Sequence, residues 1–447
     1  MMYTSSSSTQ PAALTENADQ LLLSEYDVII HQQDKNSPLY SVSSFEDLQL
    51  SDELLQGVYN MKFTKPSKIQ ASALPLLLRD PPENLIAQSQ SGTGKTAAFS
   101  LAILSRVQAS DPATQAMVVA PTRELARQIV EVMKELGRFS PVTVTEVIPG
   151  GGVYDRKIGG HIVVGTPGTM LRLIQSKALG VARLRMLALD EADIMLDIQS
   201  LGAQTMQIKR RVPEATQLIF FSATWAENIV NFARQFMGSG ANEIRLQVNE
   251  LTISNIKQFF IDCNDELDRF EILVDLYGLM TVSQSMIFVH RKDNAEKIAE
   301  MMTSRHHHVS FLHGGLDVGE RDRRMDDFRA GRSKVLISTN VLARGLDVCN
   351  VNLVINYDLP VGGKGLADHD AYLHRIGRTG RFGRRGITIN FVHDEPSYEI
   401  LSQIQTYFGC NIIKLPTQLD SRDGVTADQK AGRSERMEDF LKAAMKG

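Results

Sequence analysis

Short β-rich runs alternate with helical stretches along most of this 447-residue chain. From about residue 44 onward, apolar runs are followed by segments whose apolar residues recur at three- and four-residue spacing, as in 97–107 and 124–139. This alternation is typical of β-α units stacked around a parallel sheet with flanking helices. The predicted fold class is therefore α/β.

The predicted strands fall into two sets separated by a polar stretch. The first set is 84–88, 117–120, 142–148, 161–164, 186–189 and 218–221. The second set is 258–261, 286–290, 309–312, 334–338, 353–356 and 387–392. We therefore predict a flexible N-terminal extension at 1–43, a first domain at 44–247, a linker at 248–255 and a second domain at 256–447. Within the extension, residues 21–30 are a candidate regulatory helix or extended apolar segment.

The composition excludes several classes of protein. No uncharged apolar stretch approaches the roughly 20 residues that a membrane-spanning helix needs, and the first residues lack the basic and apolar regions of a secretory signal. The three cysteines are too few for a disulfide framework and too far apart for a zinc knuckle. We therefore expect a soluble intracellular protein with no membrane partner.

The net charge of −4 means that any nucleic-acid site must depend on local basic surface. Residues 377–386 provide such a stretch, with four arginines and four glycines. Taken alone, this run would be interpreted as a solvated loop.

A phosphate-binding loop is predicted between a short apolar strand and a helix. Its sequence is Ser89-Gln90-Ser91-Gly92-Thr93-Gly94-Lys95-Thr96, in which Ser89 replaces the first glycine of the general pattern. In this setting backbone N–H groups surround phosphates at the helix N-terminus, the lysine reaches the β- and γ-phosphates, and the threonine can bind Mg²⁺. The alternative is a simple Gly/Ser turn before a helix.

Two acidic side chains follow the predicted strand 186–189. Asp190 and Glu191 come at its C-terminal end, where α/β sheets bind ligands. Asp190 is a candidate Mg²⁺ ligand, and Glu191 could orient or deprotonate the water that attacks a phosphate. Without the phosphate-binding loop, the same acids would be interpreted as helix-capping groups.

Four motifs occur in the order found in one enzyme family. They are the phosphate-binding loop, Asp190-Glu191-Ala192-Asp193, Ser222-Ala223-Thr224 and His374-Arg375-Ile376-Gly377-Arg378-Thr379-Gly380-Arg381. Together they resemble the motifs of the DEAD-box RNA helicases, over about residues 45–392. The resemblance implies two tandem RecA-like domains, each a parallel sheet flanked by helices, ATP and Mg²⁺ as cofactors, and local separation of RNA strands when the domains close.

The resemblance implies further residues around the nucleotide. Phe63 would stack on adenine and Gln70 would hydrogen-bond its edge, with Lys65 in the same motif. Arg378 and Arg381 resemble arginine fingers, which stabilise charge on the γ-phosphate. The complete nucleotide set is Phe63, Lys65, Gln70, residues 89–96, Gly345, Asp347, Arg378 and Arg381, and the catalytic residues are Lys95, Asp190, Glu191, Arg378 and Arg381.

The resemblance also implies contacts to the RNA sugar-phosphate backbone, with little base specificity. The RNA-binding set is Pro121, Thr122, Arg123, Gly151, Thr166, Gly168, Arg172, Arg291 and Thr339, and the set that couples hydrolysis to RNA binding is Asp193, Ser222, Thr224 and His374. Three positions depart from the family pattern. Thr169 stands where many members have arginine, for which Arg172 is a candidate substitute, Gly315 replaces an acidic residue, and Val318 replaces a glutamine.

Residues 36–48, 66–70 and 358–368 resemble the branch of the family that acts in messenger-RNA export at the nuclear pore. This resemblance implies a monomer, present in cytoplasm and nucleus, that remodels messenger ribonucleoproteins at the cytoplasmic face of the pore. Its implied partners are RNA, a pore-filament nucleoporin and an activator bound to inositol hexakisphosphate. A segment of the extension, for which 21–30 is the candidate, would restrain the ATPase.

Two alternatives stay open. One is a general or translation-initiation-type RNA helicase, which tests of nucleoporin and activator binding would separate from the export helicase. The other is an ATP-dependent RNA clamp, which would close on RNA and release its products slowly.

Overall fold

The computed structural model of the chain describes residues 28–31, 42–89, 92–150, 157–197, 200–225, 227–238, 240–246, 256–279, 283–339, 351–380 and 385–415. Two β-sheets organise this part of the chain, and each is built from consecutive strands of one half.

The first sheet has eight strands in the order β1-β8-β2-β7-β6-β3-β5-β4. They are Val28–His31 (β1), Leu85–Gln88 (β2), Ala116–Val119 (β3), Val144–Val147 (β4), Ile162–Gly165 (β5), Met186–Asp190 (β6), Gln217–Ser222 (β7) and Asn242–Leu246 (β8). All neighbouring pairs are parallel except β1 with β8, which is antiparallel.

The second sheet has seven strands in the order β11-β12-β10-β13-β14-β9-β15, and all of its pairs are parallel. They are Ile256–Asp262 (β9), Gln284–Val289 (β10), Val309–Leu312 (β11), Val335–Thr339 (β12), Val351–Asn356 (β13), Gly386–Val392 (β14) and Ile413–Lys414 (β15).

Helices connect the strands, as parallel pairing requires. Those of the first half are Asp52–Asn60 (α1), Lys68–Leu77 (α2), Lys95–Arg106 (α3), Arg123–Leu136 (α4), Pro167–Gln175 (α5), Ala192–Leu196 (α6), Gly202–Lys209 (α7) and Glu227–Met237 (α8). Those of the second half are Glu266–Leu279 (α9), Lys292–Ser304 (α10), Val318–Arg329 (α11), His369–Ile376 (α12) and Glu395–Phe408 (α13), and short 3₁₀ turns occur at Glu46–Leu48 and Gly363–Gly365. None of the described helices is long and apolar enough to cross a membrane.

The strands of the first sheet are apolar on both faces because helices cover both. Successive residues of β3 show this, since Val118 packs in the core on one side of the sheet while Met117 and Val119 pack in the core on the other. Side chains alternate between faces along a strand, so a sheet covered twice needs continuous apolar runs. The α/β prediction and the two-sheet arrangement are thus confirmed.

All twelve predicted strands are present, with ends shifted by at most two residues. Three strands were not predicted: β1, β8 and β15. β1 lies within the stretch interpreted as a flexible extension, and its four residues pair with β8 at the edge of the first sheet. Residues 1–27 and 32–41 of that extension and the predicted linker 248–255 lie outside the described residues.

Candidate nucleotide and RNA site

The order of strands in the first sheet brings three motifs to one edge. β7 lies between β2 and β6, so the phosphate-binding loop after β2, the acids after β6 and the serine-threonine motif after β7 meet at their carboxyl ends. Parallel strands all end at the same edge, which is where such sheets bind ligands.

The phosphate-binding loop leads directly into α3, whose first residue is Lys95. Gly92 and Gly94 have φ of +79° and +97°, a region that favours glycine. The Lys95 ammonium donates to the Ser89 carbonyl at 2.7 Å, and the Ser89 and Thr93 hydroxyls lie 2.6 Å apart. Burial lowers the pKa of Lys95, whereas the charges of three nearby acids, Glu191 first, oppose that shift. Gln90 and Ser91 lie outside the described residues.

Gln70 joins the predicted adenine motif to this loop. Its side chain accepts from the Ser67 N–H in a capping box at the start of α2 and donates to the Gly94 carbonyl at 3.2 Å. A Cβ on Gly94 would lie 2.5 Å from the Gln70 amide nitrogen, so glycine is needed for this approach. Phe63 is half-buried against the core of the first sheet, and Lys65 is exposed.

The acids after β6 are held in a buried setting. Burial and the charge of Glu191 raise the pKa of Asp190 to about 7, although Lys95 opposes the shift. Glu191 has φ of +52°, an unusual backbone conformation for a side chain of its size. Its Oε2 has no hydrogen-bond partner among the described residues.

Asp190 and Thr96 fit a magnesium ion. A buried carboxylate that resists ionisation is stabilised in its charged form by a divalent cation, and Mg²⁺ prefers oxygen ligands. Thr96, the second residue of α3, supplies a hydroxyl next to the lysine of the phosphate-binding loop. The donor set is therefore suited to Mg²⁺.

The coupling residues come from both halves of the chain. Thr224 donates its hydroxyl to Asp193 Oδ2 at 2.8 Å, and the Thr224 N–H donates to the Ser222 hydroxyl at 3.3 Å. His374, on α12, places Nε2 3.3 Å from the same Asp193 oxygen and Nδ1 3.7 Å from Glu191 Oε2. Within the described part of the chain, ligand atoms of Glu191, Asp193 and His374 lie within 4.8 Å of one another. The four predicted coupling residues thus form one buried group.

Arg378 follows α12 and is 3% exposed. Its Nε donates to the His374 carbonyl at 2.9 Å, and its charge is close enough to lower the pKa of Lys95. The preceding Arg375 is structural, since it donates to Asn356 and to the Asp358 carbonyl. Arg381, Gly345 and Asp347 lie outside the described residues.

Two helix N-termini present the predicted RNA-binding residues of the first half. β3 pairs with β5, so α4 and α5 begin side by side at the same sheet edge. Thr122 caps α4 by accepting from the Leu125 N–H, and Thr166 precedes Pro167 at the start of α5. Paired helix N-termini suit phosphate groups.

The remaining predicted RNA-binding residues are distributed as follows. Pro121 precedes the Thr122 cap, Gly168 and Arg172 lie exposed on α5, and Thr169, the family departure, is buried and accepts from the Thr166 hydroxyl. Arg291 follows β10, and Thr339 is the last residue of β12. Because these two strands pair in parallel, both residues lie at the carboxyl edge of the second sheet. Gly151 lies outside the described residues.

Ion pairs between α4 and α11 join the two halves, and sequence analysis did not predict them. Arg321 donates to Glu124 at 2.7 Å. Asp322 accepts from Arg123 at 3.1 Å and contacts Arg127 at 3.0 Å. No local pattern marks Arg127 or Asp322, because each is an ordinary charged residue on an amphipathic helix until the halves are placed together.

Comparisons with known proteins agree with this geometry. Residues 67–232 match the DEAD/DEAH box helicase family, and residues 268–383 match the helicase conserved C-terminal domain. The chain is 52% identical over 421 residues to ATP-dependent RNA helicase DBP5 of Eremothecium gossypii. This match covers 92% of this chain and 90% of that protein.

Solved structures are similar over most of the chain. Saccharomyces cerevisiae Dbp5 bound to RNA and ADP BeF3 has a TM-score of 0.82 and 50% identity, and the match covers 89% of this chain and all of that one. A variant of the same protein bound to Nup159, Gle1, IP6 and ADP has a TM-score of 0.63 and 46% identity, again over 89% of this chain and all of that one. The chain therefore belongs to the DEAD-box family of ATP-dependent RNA helicases, in the subfamily of Dbp5.

Proposed function

We propose that this chain is an RNA-stimulated ATPase that separates RNA strands locally and remodels ribonucleoprotein particles during messenger-RNA export. The observation that carries the proposal is the position of His374, 3.3 Å from Asp193 of the other half. Because this contact requires both halves, hydrolysis can depend on domain closure, and RNA bound across both halves can favour that closure.

In the proposed hydrolysis site, backbone N–H groups of the phosphate-binding loop and Lys95 hold the phosphates. Lys95 is already placed at the start of α3, where its bond to the Ser89 carbonyl would give way to phosphate oxygens. Phe63, Lys65 and Gln70 bind the adenine end of ATP. Gln70 also contacts the phosphate-binding loop through its hydrogen bond to the Gly94 carbonyl. Asp190 and Thr96 would hold Mg²⁺, which supplies neutralisation of phosphate charge.

Glu191 orients and deprotonates the attacking water. Its carboxylate is buried next to His374, and its Oε2 has no hydrogen-bond partner among the described residues, so it is able to accept one from water. Arg378, joined by Arg381, stabilises the charge that develops on the γ-phosphate. Gly345 and Asp347 hold the ribose side.

The RNA backbone runs along the helix N-termini of both halves. From the first half, the RNA backbone would be contacted by the predicted set Pro121, Thr122, Arg123, Gly151, Thr166, Gly168 and Arg172. Arg291 and Thr339 would contact it from the second half. Closure bends one strand, and Ser222, Thr224, Asp193 and His374 connect that event to the hydrolysis site.

The partners follow from the relatives. The Dbp5 structure with Nup159, Gle1, IP6 and ADP supports the proposal that this chain works at the nuclear pore, with a nucleoporin and an activator bound to inositol hexakisphosphate. We further propose that it acts as a monomer at the cytoplasmic face of the pore and that part of the N-terminal extension restrains its ATPase.

Steady-state ATP hydrolysis with and without single-stranded RNA tests the proposal. The full chain should be stimulated by RNA, and a chain beginning at Asn36 should have higher activity without RNA. Glu191→Gln keeps the size of the side chain and removes its basicity, so we expect kcat to fall by about 10² or more while ATP binding is retained. Glu131→Gln, at an exposed position on α4, is the matched control and should leave kcat unchanged.

Equal activity of Glu191→Gln and the unchanged chain would contradict the assignment of the general base. If RNA gave no stimulation of either active form, the helicase function as proposed would be wrong.

A further inference from the structure

Asp322 of α11 is shared between two arginines of the other half. Its Oδ2 accepts from Arg123 Nη2 at 3.1 Å, and its Oδ1 lies 3.4 Å from the same nitrogen and 3.0 Å from Arg127 Nη1. Arg123 and Arg127 are one helical turn apart, so they occupy the same face of α4. A single carboxylate therefore contacts two neighbouring guanidinium groups.

Asp322 faces a concentration of positive charge on α4, which distinguishes its contacts from those of an ordinary surface ion pair. Two arginines at i and i+4 repel each other, and Arg123 also occupies the first position of α4, where the helix dipole adds positive charge. In the first half, Glu146 pairs with Arg127 at 3.3 Å, but among the described residues it forms no ion pair with Arg123. Asp322 supplies the missing negative charge when the halves are together.

Arg123 keeps unused hydrogen-bonding capacity. Its side chain is 7% exposed, and its Nε and Nη1 have no hydrogen-bond partner among the described residues. A buried guanidinium N–H without an acceptor is costly. With Nη2 held by Asp322, the remaining donors are fixed in direction and suited to an anionic oxygen such as an RNA phosphate.

We propose that Asp322 is a positioning residue for RNA. It holds the Arg123 guanidinium from the second half so that Nε and Nη1 donate to oxygens of the RNA backbone in the closed arrangement. This inference rests on the proposed function, which places Arg123 on RNA. Because Asp322 reaches Arg123 only when the halves meet, closure strengthens RNA binding, and RNA binding strengthens closure by the same factor.

The test measures RNA-stimulated ATPase of the full chain against the concentration of a single-stranded polyuridine oligomer. For Asp322→Asn we expect the RNA concentration at half-maximal stimulation to rise about 5- to 20-fold, within the usual range of coupling between sites. The rate at saturating RNA should stay within about twofold, because Asp322 contacts neither the phosphate-binding loop nor Asp190 and Glu191. Asp322→Glu should recover most of the RNA affinity.

Asp326→Asn is the matched control, since it removes the same charge from an exposed position one turn along α11. For Asp326→Asn, the RNA concentration at half-maximal stimulation should stay within about twofold of that of the unchanged chain. In an Arg127→Gln background, the effect of Asp322→Asn should be smaller than in the unchanged chain, because part of its partner set is gone.

If Asp322→Asn and Asp326→Asn had the same RNA concentration at half-maximal stimulation, the inference would be overturned. It would also be overturned by an Asp322→Asn variant that loses activity without RNA and thermal stability together but keeps its RNA half-saturation, because that result assigns Asp322 to the fold. If the unchanged chain itself showed no response to RNA, the proposed function would fail, which is a different result from either of these.

Discussion

Gly150 is constrained both by its own backbone and by the opposite half of the molecule. Its φ is +72°, and a Cβ at this position would lie 2.9 Å from Val318 Cγ1 of α11. In the sequence, Val318 stands out only as a departure from the family pattern. In the structure, Val318 packs against Gly150 of the first half, at a point where the two halves meet.

We expect Gly150→Ala to weaken closure. The left-handed conformation costs a residue with a Cβ about 1–2 kcal/mol, and the contact with Val318 arises only when the halves are together. RNA-stimulated kcat/KM for ATP should fall roughly tenfold, measured by steady-state ATPase. Gly180→Ala, where the added Cβ meets nothing within 4 Å, should leave the value unchanged.

The contact with Val318 can be separated from the backbone strain. Gly150→Ala combined with Val318→Ala should recover part of the lost activity, since the second change removes the obstructing methyl groups. A double variant as impaired as Gly150→Ala alone would show that the interface contact does not matter.

At the scale of elements, Asp358 ties three segments of the second half together. It follows β13, accepts from Arg269 of α9 at 2.7 Å and accepts from the His290 N–H after β10 at 2.8 Å. Arg269 also donates to the Tyr357 carbonyl, and its guanidinium lies 4.1 Å from the centre of the Tyr357 ring. Both partners of this ion pair are largely buried.

Burial raises the pKa of Asp358, but the Arg269 and His290 hydrogen bonds outweigh it, so the pKa lies below its ordinary value of 3.8. A carboxyl with a depressed pKa stabilises the folded state above its unfolded pKa, and this stabilisation is lost as the pH falls through the folded pKa. Asp358→Asn should therefore lower the free energy of unfolding by about 3 kcal/mol at pH 7. The difference should shrink as the pH falls below 3.8.

Denaturant unfolding across this pH range checks the prediction. Asp262→Asn is the control, because its ion pair with Lys414 is about two-fifths exposed on both sides and such pairs contribute only about 0–1 kcal/mol. If Asp358→Asn lowered the free energy of unfolding only slightly at pH 7, or by an amount that did not depend on pH, Asp358 and Arg269 would not form the stabilising buried ion pair described above.

At the scale of the whole molecule, His374 connects hydrolysis to closure. Its contacts to Asp193 and Glu191 cross between the halves, and it lies on the helix that leads to Arg378. We expect His374→Gln to lower RNA-stimulated kcat at least about tenfold, since the loss of a charge-assisted contact costs roughly 1.5–3 kcal/mol. RNA affinity measured with a non-hydrolysable ATP analogue should stay within about threefold, because His374 does not contact the proposed RNA surface.

His393→Gln provides the comparison, since the partly exposed His393 side chain belongs to the same half and pairs with its neighbour Asp394. It should leave both quantities unchanged. A His374→Gln variant that lost RNA affinity in the same proportion as kcat would place His374 in RNA binding rather than in coupling.

Much of the fold was determined by local sequence. β3 and α4 have their own periodicity, and the phosphate-binding loop is a strand, a glycine turn and a helix start within a dozen residues, so no distant contact is needed to recognise them. Two of the three strands that the local pattern did not predict, β1 and β15, are short and lie at sheet edges, whereas β8 has five residues and lies between β1 and β2. β1 and β15 have four and two residues, and pairing with β8 and β9 decides their conformation.

The sequence by itself determined the alternation of strands and helices and the types of residues at each motif, because these depend on spacing along a few turns of chain. Only the tertiary structure decided which charges meet: Arg123 with Asp322 across 199 residues and Asp193 with His374 across 181. A carboxylate on one amphipathic helix carries no local mark of its partner on another. Its role is set by the contact between the two halves, which brings these groups within a few ångströms of each other.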